Sequence, residues 1–249
     1  MTTSITIGAR RIGPGEPVYL GAEMAANHDQ RLDEAMRILG AAKRAGADAV
    51  KLGTAIPRDW LPELRELAGE LELDLCSSPG DDLEHLEAID LAAWEISASE
   101  AADPALIRRV AATAKPIILS TGSATLAAIE EALYAVRDAG CDQLALLWRN
   151  DACPAPAKEL NLRTIPHLGA AFELPVGFGD QTLGNAAAVA AVALGAAIVE
   201  KHLTLSRALP IAESAISLEP EEFARMVTSV HTAEDALGDP VDAATSPPD

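Results

Sequence analysis

Short apolar runs alternate with stretches of helical periodicity along most of the chain, and this alternation limits the possible folds more than any other feature. Counting from residue 18, eight apolar runs are each followed by a predicted helix. Three of the joints from helix to strand share a glycine, in the segments AGADAVK, AGCDQLAL and LGAAIVEK. Eight alternations in one domain predict a (β/α)8 TIM barrel. An open doubly wound sheet is the alternative, although no GxGxxG motif follows the first strand.

The two ends of the chain lie outside this repeat. We interpret residues 4–12 and 18–24 as strands on either side of Gly13-Pro14-Gly15, with a short N-terminal β-hairpin that covers the floor of the barrel. We expect a single barrel domain over residues 1–238. Residues 239–249 contain three prolines and predict a disordered tail.

The charge of the chain narrows the class of partner. Its formal net charge is −19 at pH 7, which argues against nucleic acid and anionic membrane because phosphate binding needs clustered lysine and arginine. No stretch is long and apolar enough to predict a membrane span. Cys76, Cys141 and Cys153 are widely spaced and form no paired motif, so we interpret them as reduced thiols of a cytoplasmic protein.

Polar side chains follow nearly every predicted strand. In residues 175–204, two apolar runs are each followed at once by polar residues, Asp180 and Gln181 after the first and Glu200-Lys201-His202 after the second. In a parallel barrel the carboxyl ends of the strands meet at one mouth, where the chemistry of such barrels occurs. The sequence therefore predicts a polar pocket, and its candidate residues are Glu23, Asn27, His28, Lys51, Ser78, Glu100, Ser120, Thr121, Arg149, Asp151, Asp180, Gln181, Lys201, His202 and Glu213.

The main candidates also have purely structural interpretations. Lys51 would pair with Glu23 or Glu100 inside the barrel simply because a buried charge needs a partner. His202 would be a hydrogen-bonded structural histidine, and Glu100 would cap the helix that starts nearby. Residues 27–29 would be a helix N-cap cluster. Residues 120–122 would form a turn, although hydroxyl and N–H groups at a helix N-terminus also bind anions.

A series of short motifs, in register over about residues 5–238, resembles the N-acetylneuraminate (sialic acid) synthase family. The resemblance implies a (β/α)8 barrel, a divalent metal, a homodimer, and condensation of phosphoenolpyruvate with a sugar aldehyde. Members of that family usually carry a small C-terminal antifreeze-like domain, which we expect to be absent here. The motifs are Ile12-Gly13-Pro14-Gly15, Ala22-Glu23, Asn27-His28, residues 45–51, residues 118–122, Pro154-Ala155-Pro156, Asn161-Leu162-Arg163, Pro175-Val176-Gly177, Thr182-Leu183-Gly184, residues 200–204 and residues 217–220.

The differences from this family fall at functional positions. The family motif Y-S-D-H-T reads F-G-D-Q-T in residues 178–182, so a phosphate-binding serine is Gly179 and a metal-binding histidine is Gln181. The motif K-I-x-S-G-E reads E-I-S-A-S-E in residues 95–100, so a phosphate-pairing lysine is Glu95 while the final glutamate persists. The motif H-C-x-S-x-Y-P reads W-R-N-D-A-C-P, which places Arg149 at its second position, and the loop P-G-P-D-H reads P-I-A-E-S, which includes Glu213.

These replacements affect differently the two ligands that the resemblance implies, phosphoenolpyruvate and a divalent metal. Glu95 replaces attraction of a phosphate by repulsion, a reversal worth several kcal/mol at a few ångströms. We therefore expect phosphoenolpyruvate to bind poorly unless Arg149 supplies the positive charge. The metal site is the more plausible survivor, since His202, Gln181 and Glu213, with Glu23 beside them, offer one nitrogen and several oxygens to Mn²⁺ or Mg²⁺.

We predict a divergent sialic-acid-synthase-like enzyme that makes or breaks a carbon–carbon bond at a small anionic or sugar-acid substrate. The resemblance implies a strict synthase that uses phosphoenolpyruvate, whereas Glu95, Gly179 and Gln181 favour a reaction without it. Lys51 would stabilise the oxyanion or carboxylate, Glu23 would orient a metal-bound water, Glu100 would be the acid and base, and Asp180 would complete the catalytic set. A lyase, isomerase or epimerase of secondary metabolism and a non-catalytic homologue that binds a sugar acid or a protein are the alternatives. The predicted substrate-binding residues are Asn27, His28, Ser78, Ser120, Thr121, Arg149, Asp151 and Lys201.

Overall fold

Eight parallel strands close into a barrel in the computed structural model, which describes residues 3–53, 56–80, 83–97, 99–122, 124–209 and 212–238. Each barrel strand pairs with the next in the sequence, and the last pairs with the first. The (β/α)8 prediction is therefore confirmed, and the open-sheet alternative is wrong. After the hairpin strands β1 and β2, the barrel strands are β3 (Tyr19–Met24), β4 (Ala49–Leu52), β5 (Asp74–Ser77), β6 (Ala93–Ser97), β7 (Ile117–Ser120), β8 (Leu144–Arg149), β9 (Val176–Asp180) and β10 (Ile198–His202).

Helices follow the barrel strands, and some of them begin at a residue whose side chain caps the helix. The side chain of Asp103 accepts a hydrogen bond from the Ala105 backbone N–H, and Pro104 occupies the first helical position. Pro166 lies in the first turn of its helix, where its missing N–H costs nothing. The helices are α1 (Leu32–Arg44), α2 (Leu61–Glu70), α3 (Leu83–Ala88), α4 (Pro104–Ala112), α5 (Leu126–Asp138), α6 (Thr164–Phe172), α7 (Ala186–Ala193) and α8 (Pro220–Leu237).

The barrel strands alternate between two apolar layers. Residues such as Val50, Trp94 and Val199 point outward and pack with the helices. Their neighbours point into the lumen, where the lower layer consists of Tyr19, Ala49, Cys76, Ala93, Ile118, Ala145, Leu147 and Ile198. Because strand side chains alternate, the next inward residues toward the mouth lie two positions further along each strand. The sequence therefore fixes which polar side chains can meet inside the barrel.

The N-terminal hairpin closes the floor of this lumen, as predicted. Its strands β1 (Ile5–Ile7) and β2 (Arg10–Ile12) are antiparallel, and the three isoleucines Ile5, Ile7 and Ile12 pack against the lower lumen layer. The turn is at Gly8, however, and not at Gly13-Pro14-Gly15, which instead leads from the hairpin to β3. Gly8 has φ +56°, and a Cβ there would overlap the carboxylate of Asp74, so this turn requires glycine.

Other predictions about the chain as a whole have separate outcomes. No helix of the described residues is both long enough and apolar enough to cross a membrane. Cys76, Cys141 and Cys153 are free thiols. The predicted tail, residues 239–249, lies outside the described residues. The single domain, the cytoplasmic location and the homodimer stay predictions.

Candidate functional site

A buried cluster of charged side chains fills the lumen at the mouth of the barrel, and we call Glu23, Lys51, Glu95, Arg149 and Glu200 the mouth cluster. The ammonium nitrogen Nζ of Lys51 lies 2.5 Å from Oε2 of Glu95, 3.6 Å from Oε1 of Glu23 and 3.7 Å from Oε2 of Glu200. Arg149 Nη1 lies 3.7 Å from Oε1 of Glu95. Three carboxylates thus surround two cations at the ends of five strands.

Lys51 is held in its charged form. Burial lowers the pKa of this lysine, but the carboxylates of Glu95, Glu200 and Glu23 outweigh burial and raise the pKa above its ordinary value. A lysine that keeps its proton cannot act as a nucleophile or a base near neutral pH. It can act as a fixed positive charge in a site of low dielectric, where such a charge stabilises a developing oxyanion.

The carboxylates of the cluster differ in acidity. Burial raises the pKa of Glu200 well above its ordinary value, and the nearby Glu95 raises it further. Burial also raises the pKa of Glu23, but the positive charge of Lys51 and the nearby His202 reverse the effect and leave it lowered. Glu23 therefore stays ionised more readily than Glu200.

A cavity of about 680 Å³ opens directly above the mouth cluster. The predicted residues Lys51, Glu100 and Arg149 line it, as do the hydroxyls of Ser120 and Thr121. Its wall is hydroxyl-rich and charged, which suits a small polar ligand. The cavity is also lined by Ser78, Glu95, Ser97, Ser99, Gly122, Ala124, Ala128, Asn150, Asp151, Cys153 and Gln181.

Glu100 lines the cavity but already has hydrogen-bond partners. Its Oε2 accepts hydrogen bonds from the backbone N–H of Ser97 at 2.8 Å and from the hydroxyl of Ser97 at 2.7 Å. The carboxylate therefore fixes the short turn after β6. Asp103, and not Glu100, caps the helix α4 that follows. The other oxygen of Glu100 has no hydrogen-bond partner among the described residues, so an acid–base role remains a prediction for this residue.

Asp180 and Lys201 form a pair of their own away from the cavity. Lys201 Nζ lies 2.9 Å from Oδ2 of Asp180, and both side chains are fully buried on the outward side of the barrel strands. Oδ1 of Asp180 also accepts hydrogen bonds from the backbone N–H and the hydroxyl of Thr182. Strand alternation explains the difference, because Glu200 and His202 point inward and Lys201 between them cannot. The structure does not bring Asp180 and Lys201 to the predicted pocket.

Asn27 and His28 are buried in the loop after β3. Asn27 donates a hydrogen bond from Nδ2 to the backbone oxygen of Leu203, and the ring of His28 meets that of Trp60 edge to face at 5.2 Å. Neither ring nitrogen of His28 has a hydrogen-bond partner among the described residues. Neither residue lines the cavity described above. Their predicted substrate contacts stay a prediction.

The predicted metal ligands are only partly brought together. His202 Nε2 lies 3.3 Å from Oε2 of Glu23, and burial lowers the pKa of His202. Gln181 lines the cavity, and Glu213 lies in a short turn close enough to influence His202. Nowhere in the described parts of the chain do three His, Cys, Asp or Glu side chains group as metal ligands. A metal site on His202, Gln181 and Glu213 therefore stays a prediction.

Comparison with known proteins identifies the family. A sequence model described as the NeuB family matches residues 53–242, which is more than half of the chain. The chain belongs to the NeuB family. This confirms the resemblance to sialic acid synthases, and several homologues of this NeuB family member are named synthases. It is therefore a synthase-like enzyme.

Individual relatives span nearly all of this NeuB family member. Pseudaminic acid synthase of Helicobacter pylori is 32% identical over 260 residues, which cover 90% of this chain and 76% of the relative. The structure of the spore coat polysaccharide biosynthesis protein SpsE of Bacillus subtilis matches with a TM-score of 0.90 and 31% identity, covering 97% of this chain and 76% of that one. N-acetylneuraminic acid synthetase of Leptospira borgpetersenii, solved with citrate, matches with a TM-score of 0.89 and 27% identity over 100% of this chain and 93% of that one.

Two members of the mouth cluster were absent from the predicted site of this NeuB protein. Glu95 was noted only as a replaced lysine, and Glu200 only as one polar residue at a strand end. Both are inward-facing by the alternation of their strands, two residues after Ala93 and Ile198 of the lower lumen layer. Strand alternation was therefore the signal that could have identified them, and it would also have separated Glu200 from Lys201.

Proposed function

We propose that this NeuB family member makes or breaks a carbon–carbon bond at the carbonyl of a small, unphosphorylated sugar-acid-type substrate, and that it does not use phosphoenolpyruvate. The names of its relatives support the general class, since pseudaminic acid synthase and N-acetylneuraminic acid synthetase are named for sugar acids. The cavity above the mouth cluster, with its hydroxyls and charges, supports a small polar substrate.

The observation that carries the proposal is the buried ammonium of Lys51 in contact with the cavity. Enolisation next to a carbonyl, and addition of the resulting carbon to an aldehyde, both place negative charge on a carbonyl oxygen. A fixed cation in a water-poor site stabilises that charge without reorganisation. Three carboxylates hold Lys51 in place, so this charge exists before the substrate arrives.

Glu23 is the group that we assign to proton transfer. Its lowered pKa keeps it ionised, and Nε2 of His202 lies 3.3 Å from its Oε2. In the bond-forming direction Glu23 would take a proton from the carbon beside the carbonyl. That carbon then bonds to the aldehyde carbon as the aldehyde C=O double bond opens, and the new alkoxide takes up the proton that the Glu23 carboxyl group carries. Lys51 stabilises the negative oxygen throughout, and no phosphate leaves.

The charge balance argues against phosphoenolpyruvate. Glu95 occupies the position at which the resemblance implies a phosphate-pairing lysine, and it contacts both cations of the mouth cluster, Lys51 and Arg149. Arg149, the residue that would have to compensate, already lies 3.7 Å from Glu95. Two like charges 4 Å apart repel by about 4 kcal/mol at an effective dielectric constant of 20. A ligand with both a carboxylate and a phosphate would meet that repulsion.

The decisive test measures inorganic phosphate. The purified chain is incubated with phosphoenolpyruvate and N-acetylmannosamine, with and without Mn²⁺ or Mg²⁺, beside the Lys51→Ala variant. We expect phosphate release no greater than that of the variant. Mass spectrometry of the same chain with unphosphorylated 2-oxo acids and sugar aldehydes should detect a condensed sugar acid that requires Lys51. Robust phosphate release that disappears in Lys51→Ala would show that the proposal is wrong.

A further inference from the structure

Arg149 is the one member of the mouth cluster, as the described residues define it, with a substantial exposed fraction. Its side chain is 25% exposed, against 7% for Lys51 and 3% for Glu95. It is the last residue of β8, faces the lumen two positions after Leu147, and lines the cavity. Its guanidinium contacts Glu95 through Nη1 alone among the described residues, which leaves its other N–H groups for a ligand.

Gly179 makes room for this arginine. The two residues are register partners on β8 and β9. A Cβ at Gly179 would lie 3.0 Å from Cβ and 3.7 Å from Cδ of Arg149, and 3.6 Å from Cδ2 of Leu147. The first of these distances is tighter than side chains normally accept, so any side chain at this position would displace the stem of the arginine. Glycine inside a strand weakens the strand and is typical of positions where another group approaches closely.

The two positions therefore change as a pair. The resemblance described above implies a phosphate-binding serine at position 179 and a cysteine at position 149, where this chain has Gly179 and Arg149. In this chain the serine is absent, and the stem of Arg149 packs over the backbone where the serine side chain would stand. At position 179 the phosphate-binding serine is thus replaced by a glycine, and this glycine leaves room for the side chain of its register partner, Arg149.

We propose that Arg149 binds the carboxylate of an unphosphorylated 2-oxo acid and that Gly179 is the positioning residue that admits it; this inference rests on the proposed function. A guanidinium binds a carboxylate through two parallel N–H groups, which gives both strength and orientation. Glu95 occupies one side of the guanidinium and orients the plane. A singly charged carboxylate matches the N–H groups of Arg149 that Glu95 does not contact. A phosphate dianion would instead bring excess negative charge beside Glu95.

The arrangement also separates the work of the two cations. Arg149 would hold the carboxylate near the opening, while Lys51, which is deeper and in contact with three carboxylates, would face the carbonyl oxygen. The two groups are connected through Glu95, which contacts both. A 2-oxo acid has its carboxylate and carbonyl on adjacent carbons, so one small molecule can meet both cations.

Isothermal titration calorimetry with pyruvate, phosphoenolpyruvate and inorganic phosphate tests the inference without relying on turnover. Loss of a charge-assisted pair should raise the Kd for pyruvate about 10- to 100-fold in Arg149→Gln. Arg149→Lys should keep part of the affinity, because it keeps the charge and loses the fork. Gly179→Ser should weaken pyruvate binding about tenfold by displacing the arginine. Arg37→Gln, which breaks an exposed ion pair with Glu34, is the matched control and should bind like the wild type.

The outcomes distinguish this inference from the proposed function. Wild-type protein that fails to bind pyruvate, phosphate that binds as tightly as pyruvate, or Arg149→Gln that binds like the wild type would each overturn the inference. Circular dichroism and melting curves establish whether each variant is folded. If Arg149→Gln is not folded, the affinity of Arg149→Lys still tests the inference. Arginine-dependent pyruvate binding without any condensation would support this inference and contradict the proposed function.

Discussion

Replacement of Lys51 by methionine should be one of the most destabilising single changes in the barrel. Methionine preserves much of the side-chain volume and removes the charge that Glu95, Glu23 and Glu200 contact at 2.5, 3.6 and 3.7 Å. Breaking a buried ion pair by removing one partner costs about 3–5 kcal/mol, because the other partner is left as an uncompensated charge. For a chain of this length that corresponds to a fall in Tm of about 6–20 °C.

The assay is thermal unfolding followed by circular dichroism at pH 7, with Lys158→Met as the matched control, since Lys158 is 82% exposed. The control should change the free energy of unfolding by less than about 0.5 kcal/mol. The double variant Lys51→Met/Glu95→Gln should recover part of the loss, because the closest carboxylate no longer carries a charge. A loss below about 1 kcal/mol in Lys51→Met would refute this reasoning and show that the carboxylates are neutral or solvated.

Three further predictions concern pH, the cluster and a helix cap. Burial lowers the pKa of His202 and His28, so as the pH falls the unfolded chain takes up protons at a higher pH than the folded protein does. Tm should therefore fall as the pH drops below about 6.5, and a Tm that stays constant from pH 7 to 5 would contradict this. Burial and Glu95 raise the pKa of Glu200, so Glu200→Gln should raise Tm at pH 7, and a marked fall would contradict it. Asp103→Ala should cost about 1 kcal/mol in urea unfolding, and no loss would exclude the cap.

The fold could be predicted because its signals are local and repeated. Apolar runs, glycine at the helix-to-strand joints and the Asp103-Pro104 cap each determine one element from nearby residues. The hairpin turn was misplaced because Gly13-Pro14-Gly15 is the stronger local breaker. Gly8 is required there by a contact with Asp74, which is 66 residues away in the sequence. A local pattern cannot contain that information.

The site could be predicted only in outline. Lys51, Glu23 and Arg149 meet at the mouth because strand ends converge, which the topology alone ensures. Asp180 and Lys201 lie at strand ends too, but they face outward and neutralise each other. A residue's position at a strand end determines that it lies near the mouth of the barrel, and strand alternation determines whether its side chain faces the lumen or the helices. The prediction of the site used only the first criterion, although both were needed.

The replacements at the mouth are better understood as one change than as several. Glu95 is compatible with a buried lumen because Lys51 and Arg149 contact it, and Arg149 fits because position 179 has no side chain. Reversal of any one alone would therefore leave an unpaired charge or a steric overlap: Glu95→Lys would place a third cation beside two others, and Gly179→Ser would displace the arginine. A loss of function by random decay would not leave the partners matched. Charge, volume and register agree at positions 95, 149 and 179. A site adapted to bind a carboxylate instead of a phosphate requires such agreement.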